Sequence, residues 1–101
     1  GVKCNGNVKI HDNVYVGTGA TILPGKTNKP IIIGKNSIIG AGAVVTKEIL
    51  DYALEVGNPS KQIGWVSEYG HRLNFDIDNK AICKESFQEY KLIDGRVKRT
   101  K

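Results

Sequence analysis

Apolar residues recur at six-residue intervals between Val8 and Leu50. Ile10, Val16 and Ile22 hold the spacing, and after a break Ile33, Ile39 and Val45 resume it. Glycine follows three of them, in Val16-Gly17, Ile33-Gly34 and Ile39-Gly40. Four residues beyond these apolar positions stand small or β-branched side chains: Val14, Ala20, Ser37, Ala43 and Ile49. An amphipathic helix would need apolar residues at helical spacing over roughly ten glycine-free residues, which this stretch lacks. A two-faced strand would alternate for a few residues and turn once. A period of six suits a chain that runs a short strand, turns a corner and repeats. Three sides then close one coil of about eighteen residues, with the aliphatic side chain inward each time. The pattern predicts an all-β chain built on a parallel β-helix.

Ile33 stands eleven positions after Ile22, five more than one hexad. Gly25-Lys26-Thr27-Asn28-Lys29-Pro30 has loop composition and is expected to bulge from one corner. Asp51 to Val56 supplies one more strand, and Asn58-Pro59 ends the run, because the residue before a proline is held extended. Gln62 to Leu73 is expected to form a short helix or turn that packs Trp65 and Tyr69 across the coil end. The remainder reads as a small antiparallel meander. Leu73, Phe75 and Ile77 alternate, Asp78-Asn79 offers a turn, Ala81-Ile82-Cys83 follows, and Tyr90 and Leu92 alternate before the hairpin turn at Asp94-Gly95. The chain thus divides into 1–61, 62–73 and 74–101. Only two full coils and a fraction are present, whereas solenoids generally need about three repeats and capped ends. Gly1 to Asn7 has no cap-like feature. The expectation is the carboxy-terminal part of a longer β-helix, or a short one stabilised by trimerisation.

Composition narrows the chemistry. Aromatic residues make up 7% of 101 residues, which fits a narrow core of Ile and Val. The net charge of +5 lies mostly on the repeat, where six lysines face Asp12 and Glu48. A basic solenoid suits a phosphorylated ligand or simply solubility. No basic run is interleaved with aromatics, so nucleic acid is not an expected partner. Cys4 and Cys83 have no zinc spacing and form no secreted-type framework. Cys4 stands six before Ile10 and is expected to point inward. Free thiols, no signal peptide and no membrane-length apolar run place the protein in the cytoplasm, without a membrane partner.

The hexads carry a resemblance. Val14 to Gly25 resembles one coil of the hexapeptide-repeat acyltransferases, Ile33 to Lys47 the next, and Val56-Gly57-Asn58-Pro59-Ser60-Lys61 the way these helices end. The stretch from Gly57 to Leu73 is similar to the tail of bacterial N-acetyltransferases that act on UDP-linked 3-amino sugars for surface polysaccharides, including lipopolysaccharide. The resemblance implies a left-handed β-helix, a homotrimer and acetyl transfer from acetyl-CoA to an amino group of a nucleotide-linked sugar. Its handedness opposes the usual rule for parallel crossovers.

Acetyl transfer needs an oxyanion donor, a proton acceptor and a partner for phosphates. Thr18-Gly19-Ala20 and Ala41-Gly42-Ala43 are expected to stack one coil apart as a smooth strip along which pantetheine could lie; tight corners explain small residues equally well. By the resemblance, the backbone of Thr18 and Ala41 meets pantetheine, Thr46 and Lys47 meet the nucleotide end of coenzyme A, and Lys61 lies near its phosphates. On charge alone each lysine reads as a solvated surface group. His11 is the candidate base within the chain, although relatives place a catalytic His upstream of this segment; His71 reads as structural. No metal site is expected. A γ-class carbonic anhydrase would need three His ligands, and this chain has two. A serine or other O-acetyltransferase and a non-enzymatic β-helix scaffold are the alternatives. The identity of the acceptor is not legible.

Overall fold

The computed structural model describes residues 3–4, 8–23 and 30–101, with the backbone alone at 3–4. The expected corner loop at 25–29 and the inward side chain of Cys4 lie outside the described residues.

Short strands come first: β1 (Lys3–Cys4), β2 (Val8–Ile10), β3 (Tyr15–Val16), β4 (Thr21–Ile22), β5 (Ile31–Ile33), β6 (Ile38–Ile39) and β7 (Val44–Val45). They form three parallel sides. β1, β4 and β7 make one side; β2 and β5, extended by an isolated Ile33–Ile49 bridge, make the second; β3 and β6 begin the third. Val8 pairs with Ile31, Tyr15 with Ile38 and Thr21 with Val44, a constant step of 23 residues. Lys3 pairs with Thr21, a step of 18. The last coil is shorter: Ile38 pairs with Leu54 of β8 (Ala53–Val56), a step of 16.

The six-residue period works because each side has one inward position. Ile22, Ile33, Ile39 and Val45 are all 0% exposed and form the core with Ala20, Ala43 and Ile49. Val16 is half-buried, but Ile10, expected inward, is 49% exposed. Among the described residues β2 and β3 each pair with one strand, so Ile10 has a described covering coil on one side alone. Corners are made by residues in the left-handed region, φ 58° at both Asn13 and Asn36 and φ 77° and 71° at Gly19 and Gly42. Asn tolerates this conformation through its short polar side chain, and Gly has no Cβ to clash. Asn13 Nδ2 donates to Asn36 Oδ1 at 2.6 Å, which ties successive corners. A Cβ on Gly17 would overlap the backbone of Ala41, so glycine there permits the coils to stack.

Of the short helix or turn expected at 62–73, the helix does not form and a turn is made at Ser67–Gly70 between two strands. After the Gly57–Ser60 turn the chain reverses into β9 (Lys61–Val66), antiparallel to β8, turns at Ser67–Gly70 and returns as β10 (Arg72–Leu73). Trp65 and Tyr69 fail to share a helix face because the open edge of β8 captures the chain as another strand, satisfying its peptide groups. Among the described residues there is no helix at all. The strand expected through Ile77 also stops early, at Leu73. Asp76 Oδ1 instead accepts from the amides of Asp78 at 2.8 Å and Lys80 at 3.0 Å, and Ile77 is left 97% exposed.

The last residues form a three-stranded antiparallel sheet of β11 (Lys80–Ile82), β12 (Glu89–Ile93) and β13 (Arg96–Arg99). Asp94 (φ 51°) and Gly95 (φ 73°) make the two-residue turn between Ile93 and Arg96. This sheet has its own core of Tyr52, Leu73, Ala81, Cys83, Tyr90 and Val97. Trp65 packs against both cores and joins them.

Candidate functional site

Thr18-Gly19 sits over Ala41-Gly42 at the corner that follows β3 and β6. Gly42 N–H donates to Thr18 O at 3.0 Å, and Thr21 N–H to Ala43 O at 2.8 Å. The expected strip is therefore real but narrower. Thr18, Gly19, Ala41 and Gly42 are exposed, whereas Ala20 and Ala43 turn inward and are 0% exposed. Their methyl groups fill the core just beyond the corner, where a larger side chain would push the coil apart. A Cβ on Gly42 would meet nothing within 4 Å, so the corner faces open space. The amides of Thr18, Gly19 and Ala41 donate to no acceptor among the described residues.

Lys61 follows the turn below this corner. Ser60 N–H donates to Val44 O at 2.8 Å, and Lys61 pairs with Val56 at the start of β9, two strands beyond β6. Thr46 and Lys47 are exposed in the link between β7 and Ile49, at the far end of the side that begins at this corner. His11 is apart from both groups. Its N–H donates to Ile33 O at 3.0 Å at the corner after β2, and it is exposed. The fold thus joins Thr18 and Ala41, sets Lys61 two strands beyond β6 and Thr46 and Lys47 along the adjoining side, each about 10 Å away, and leaves His11 alone. Exposed His71 is held by its backbone, its N–H donating to Ser67 Oγ at 3.2 Å. Among the described residues, no three of His, Cys, Asp and Glu gather as a ligand set, and no helix is long and apolar enough to cross a membrane.

Two buried groups had no functional role in the sequence reading. Glu55 occupies the inward column below Val16 and Ile39, is 8% exposed, and accepts from Ser60 Oγ at 3.0 Å. Burial raises its carboxyl above the ordinary value, and the Ser60 hydroxyl partly offsets that. Cys83 is fully buried with its Sγ 3.2 Å from Ser67 Oγ. Burial raises its thiol, but the Ser67 and Ser86 hydroxyls and the amides of Ser86 and Glu85 prevail and lower it to about 7.

A polar network lines a crevice of about 450 Å³ between the coil and β13. Tyr52 donates to Glu68 Oε2 at 3.2 Å, and Arg99 Nη1 holds Glu68 Oε1 at 3.1 Å. Burial, reinforced by the Glu68 charge, pushes the Tyr52 phenol up to about 12. The Gln88 amide fits with its oxygen toward Arg99 Nη1 and Nη2, at 3.0 and 3.1 Å, and its nitrogen toward Tyr90 Oη at 2.8 Å. These residues are scattered from 52 to 99, so spacing did not bring them together. The only local signal was the alternation Arg96-Val97-Lys98 after the hairpin turn.

No family model matches the chain. It is 38% identical over 92 residues to a dTDP-3-amino-3,6-dideoxy-alpha-D-galactopyranose 3-N-acetyltransferase of Aneurinibacillus thermoaerophilus, across 91% of this chain and 44% of the relative. Among solved structures it matches WeeI from Acinetobacter baumannii AYE with TM-score 0.59 and 52% identity, over 62% of this chain and 30% of that one. It matches a maltose O-acetyltransferase from Clostridium difficile 630 with TM-score 0.53 and 47% identity, over 61% and 30%. The chain spans less than half the length of the relative it matches over 92 residues.

Proposed function

We propose that this chain, which belongs to the hexapeptide-repeat acyltransferases, forms part of an enzyme that moves an acetyl group from acetyl-CoA to an amino group of a nucleotide-linked sugar. One observation carries this reading: the match to the 3-N-acetyltransferase runs through both the coil and the tail, over 91% of the chain. In this reading the three parallel sides are a left-handed β-helix, the terminal sheet is its meander, and a cytoplasmic homotrimer encloses the site between neighbours. The polysaccharide role rests on the tail resemblance alone.

The corner fits a thin, amide-containing chain. Gly19 and Gly42 offer no side chain to hold it away, and a Cβ at Gly42 would intrude on open space. The amides of Thr18, Gly19 and Ala41 point to no internal acceptor, so they would donate to pantetheine carbonyls. Lys61 would meet phosphate, with Thr46 and Lys47 toward the nucleotide end. When bound, acetyl-CoA supplies an acetyl group activated as a thioester. The acceptor nitrogen would attack the carbonyl carbon, the C–S bond would break, and the proton lost by the nitrogen would end on the departing coenzyme A sulfur as the free thiol. An amide donor stabilises the oxyanion on the way. His11 is far from the Thr18–Ala41 corner within one chain, so it would act as base only across a subunit boundary.

The test is release of coenzyme A thiol, measured on this chain and on any longer protein containing it. UDP- and dTDP-linked 3-amino sugars should be acetylated on nitrogen, with no turnover of maltose or a galactoside. The similarity to a maltose O-acetyltransferase favours a second reading, transfer to a sugar hydroxyl. Turnover of the neutral sugars with none on the amino sugars would establish it.

A further inference from the structure

The crevice between the coil and β13 holds a charge arrangement that the fold does not require. Lys35 approaches from the coil corner and Arg96, Lys98 and Arg99 from β13, while Tyr52 forms the floor. The two carboxylates in the wall are already engaged. Asp51 Oδ1 accepts from the Lys35 amide at 2.9 Å, and Glu68 is held by Arg99 and Tyr52. Lys35, Arg96 and Lys98 have no carboxylate within ion-pair distance among the described residues. The segment from 80 to 101 carries seven basic and three acidic residues, so the second half of the chain is near neutral only on average.

Charged residues on an edge strand commonly guard against sheet-to-sheet pairing, and that accounts for Arg96 and Lys98 by themselves. It does not account for Lys35, which arrives from another element, nor for the concavity. The volume falls within the range of small-molecule sites.

We propose that this crevice binds a small molecule bearing a phosphate or pyrophosphate, through Lys35, Arg96 and Lys98. Arg96 offers a planar fork for two phosphate oxygens, and the lysines act as point charges on either side. The site is distinct from the Thr18–Ala41 corner. The two lie at the corners on either side of β6. The phosphate could belong to a nucleotide or to free pyrophosphate.

The test is titration of the isotope-labelled full chain with inorganic pyrophosphate, followed by amide NMR. The amides of Lys35, Tyr52 and Arg96 to Arg99 should shift. The double variant Arg96→Ala/Lys98→Ala, whose side chains are exposed, should keep the spectrum of the folded chain and bind at least about tenfold more weakly. Lys47→Ala and Lys61→Ala should leave the crevice response unchanged. A nucleoside diphosphate binding more tightly than pyrophosphate would identify a nucleotide; equal affinity would identify the phosphates alone; both support the site. Crevice amides that stay still up to about 10 mM pyrophosphate would overturn the proposal, since useful contacts saturate below that level. So would equal affinity in the double variant, or a response abolished by Lys61→Ala instead.

Discussion

The ring of Tyr52 meets the ring of Tyr90 edge-on, with centroids 5.4 Å apart and planes at 71°. Tyr52 stands at the third-coil corner, equivalent to Asn13 and Asn36, and takes the same left-handed backbone at φ 64°. A bulky residue is uncommon there. Here its ring enters the core of the terminal sheet and its hydroxyl reaches Glu68, so the contacts offset the backbone strain. One residue thereby joins coil to sheet.

Tyr52→Ala should cost about 3–5 kcal/mol, as large aromatic truncations do, and should loosen the terminal sheet first. Tyr52→Phe keeps the ring and loses one hydrogen bond to a charged group, about 1–2 kcal/mol. Urea denaturation monitored by Trp65 fluorescence would measure both. The wild type should also lose stability between about pH 10 and 12. The native phenol is pushed up to about 12, so it holds its proton longer than the unfolded one.

Glu55 should make stability fall as pH rises. Its native carboxyl is raised, so the native state binds more protons than the unfolded state through the interval between the ordinary and raised values. The contribution is complete below the ordinary carboxylate range and is lost as pH passes through the raised native value. Glu55→Gln should flatten this dependence, and Ser60→Ala should extend it to higher pH by removing the hydroxyl donor. Denaturant midpoints across the acid range would show it; an unchanged slope in Glu55→Gln would assign the effect elsewhere.

Inward positions should differ in cost according to their place in the stack. Ile39 is fully buried, so Ile39→Ala should cost about 2–5 kcal/mol. Ile39→Asp, which buries an unpaired charge, should unfold the coil. Ile10 is half exposed, so Ile10→Ala should cost about 1 kcal/mol or less. Equal losses at Ile10 and Ile39 would mean that another surface covers Ile10.

Coenzyme A binding should depend on Lys61 and Lys47 to different degrees. Lys61 starts the strand two beyond β6, below the turn that follows β8, whereas Lys47 is at the far end of the side that begins at the Thr18–Ala41 corner. A partly exposed charge-assisted contact is worth roughly 1–3 kcal/mol, so Lys61→Ala should weaken binding about 5- to 150-fold. The Lys47→Ala loss should shrink with dephospho-coenzyme A, if the 3′-phosphate is its partner, and with added salt. Calorimetry on the wild type and both variants would separate them, and unchanged affinity in either would remove that lysine from the site.

The coil was legible because its information is local. One inward aliphatic residue per six, followed by corner residues that tolerate tight turns, dictates strand, corner and step without reference to distant residues. The column of Thr18 over Ala41 followed from the same arithmetic, and the Asp94-Gly95 hairpin from equally local turn chemistry. What happened at 61–73 was not local. Whether that stretch became a helix or a strand depended on the free edge of β8, a partner created only once the coil existed. Ile10 kept its inward register yet stayed half exposed, because burial depends on what stacks above it rather than on spacing. The crevice is further still from the primary pattern. Lys35, Tyr52, Glu68 and Arg96 meet only because the tail folds back against a corner laid down some sixty residues earlier. Periodicity sets which face a side chain takes on its own element; only the packing of one element on another decides which faces meet.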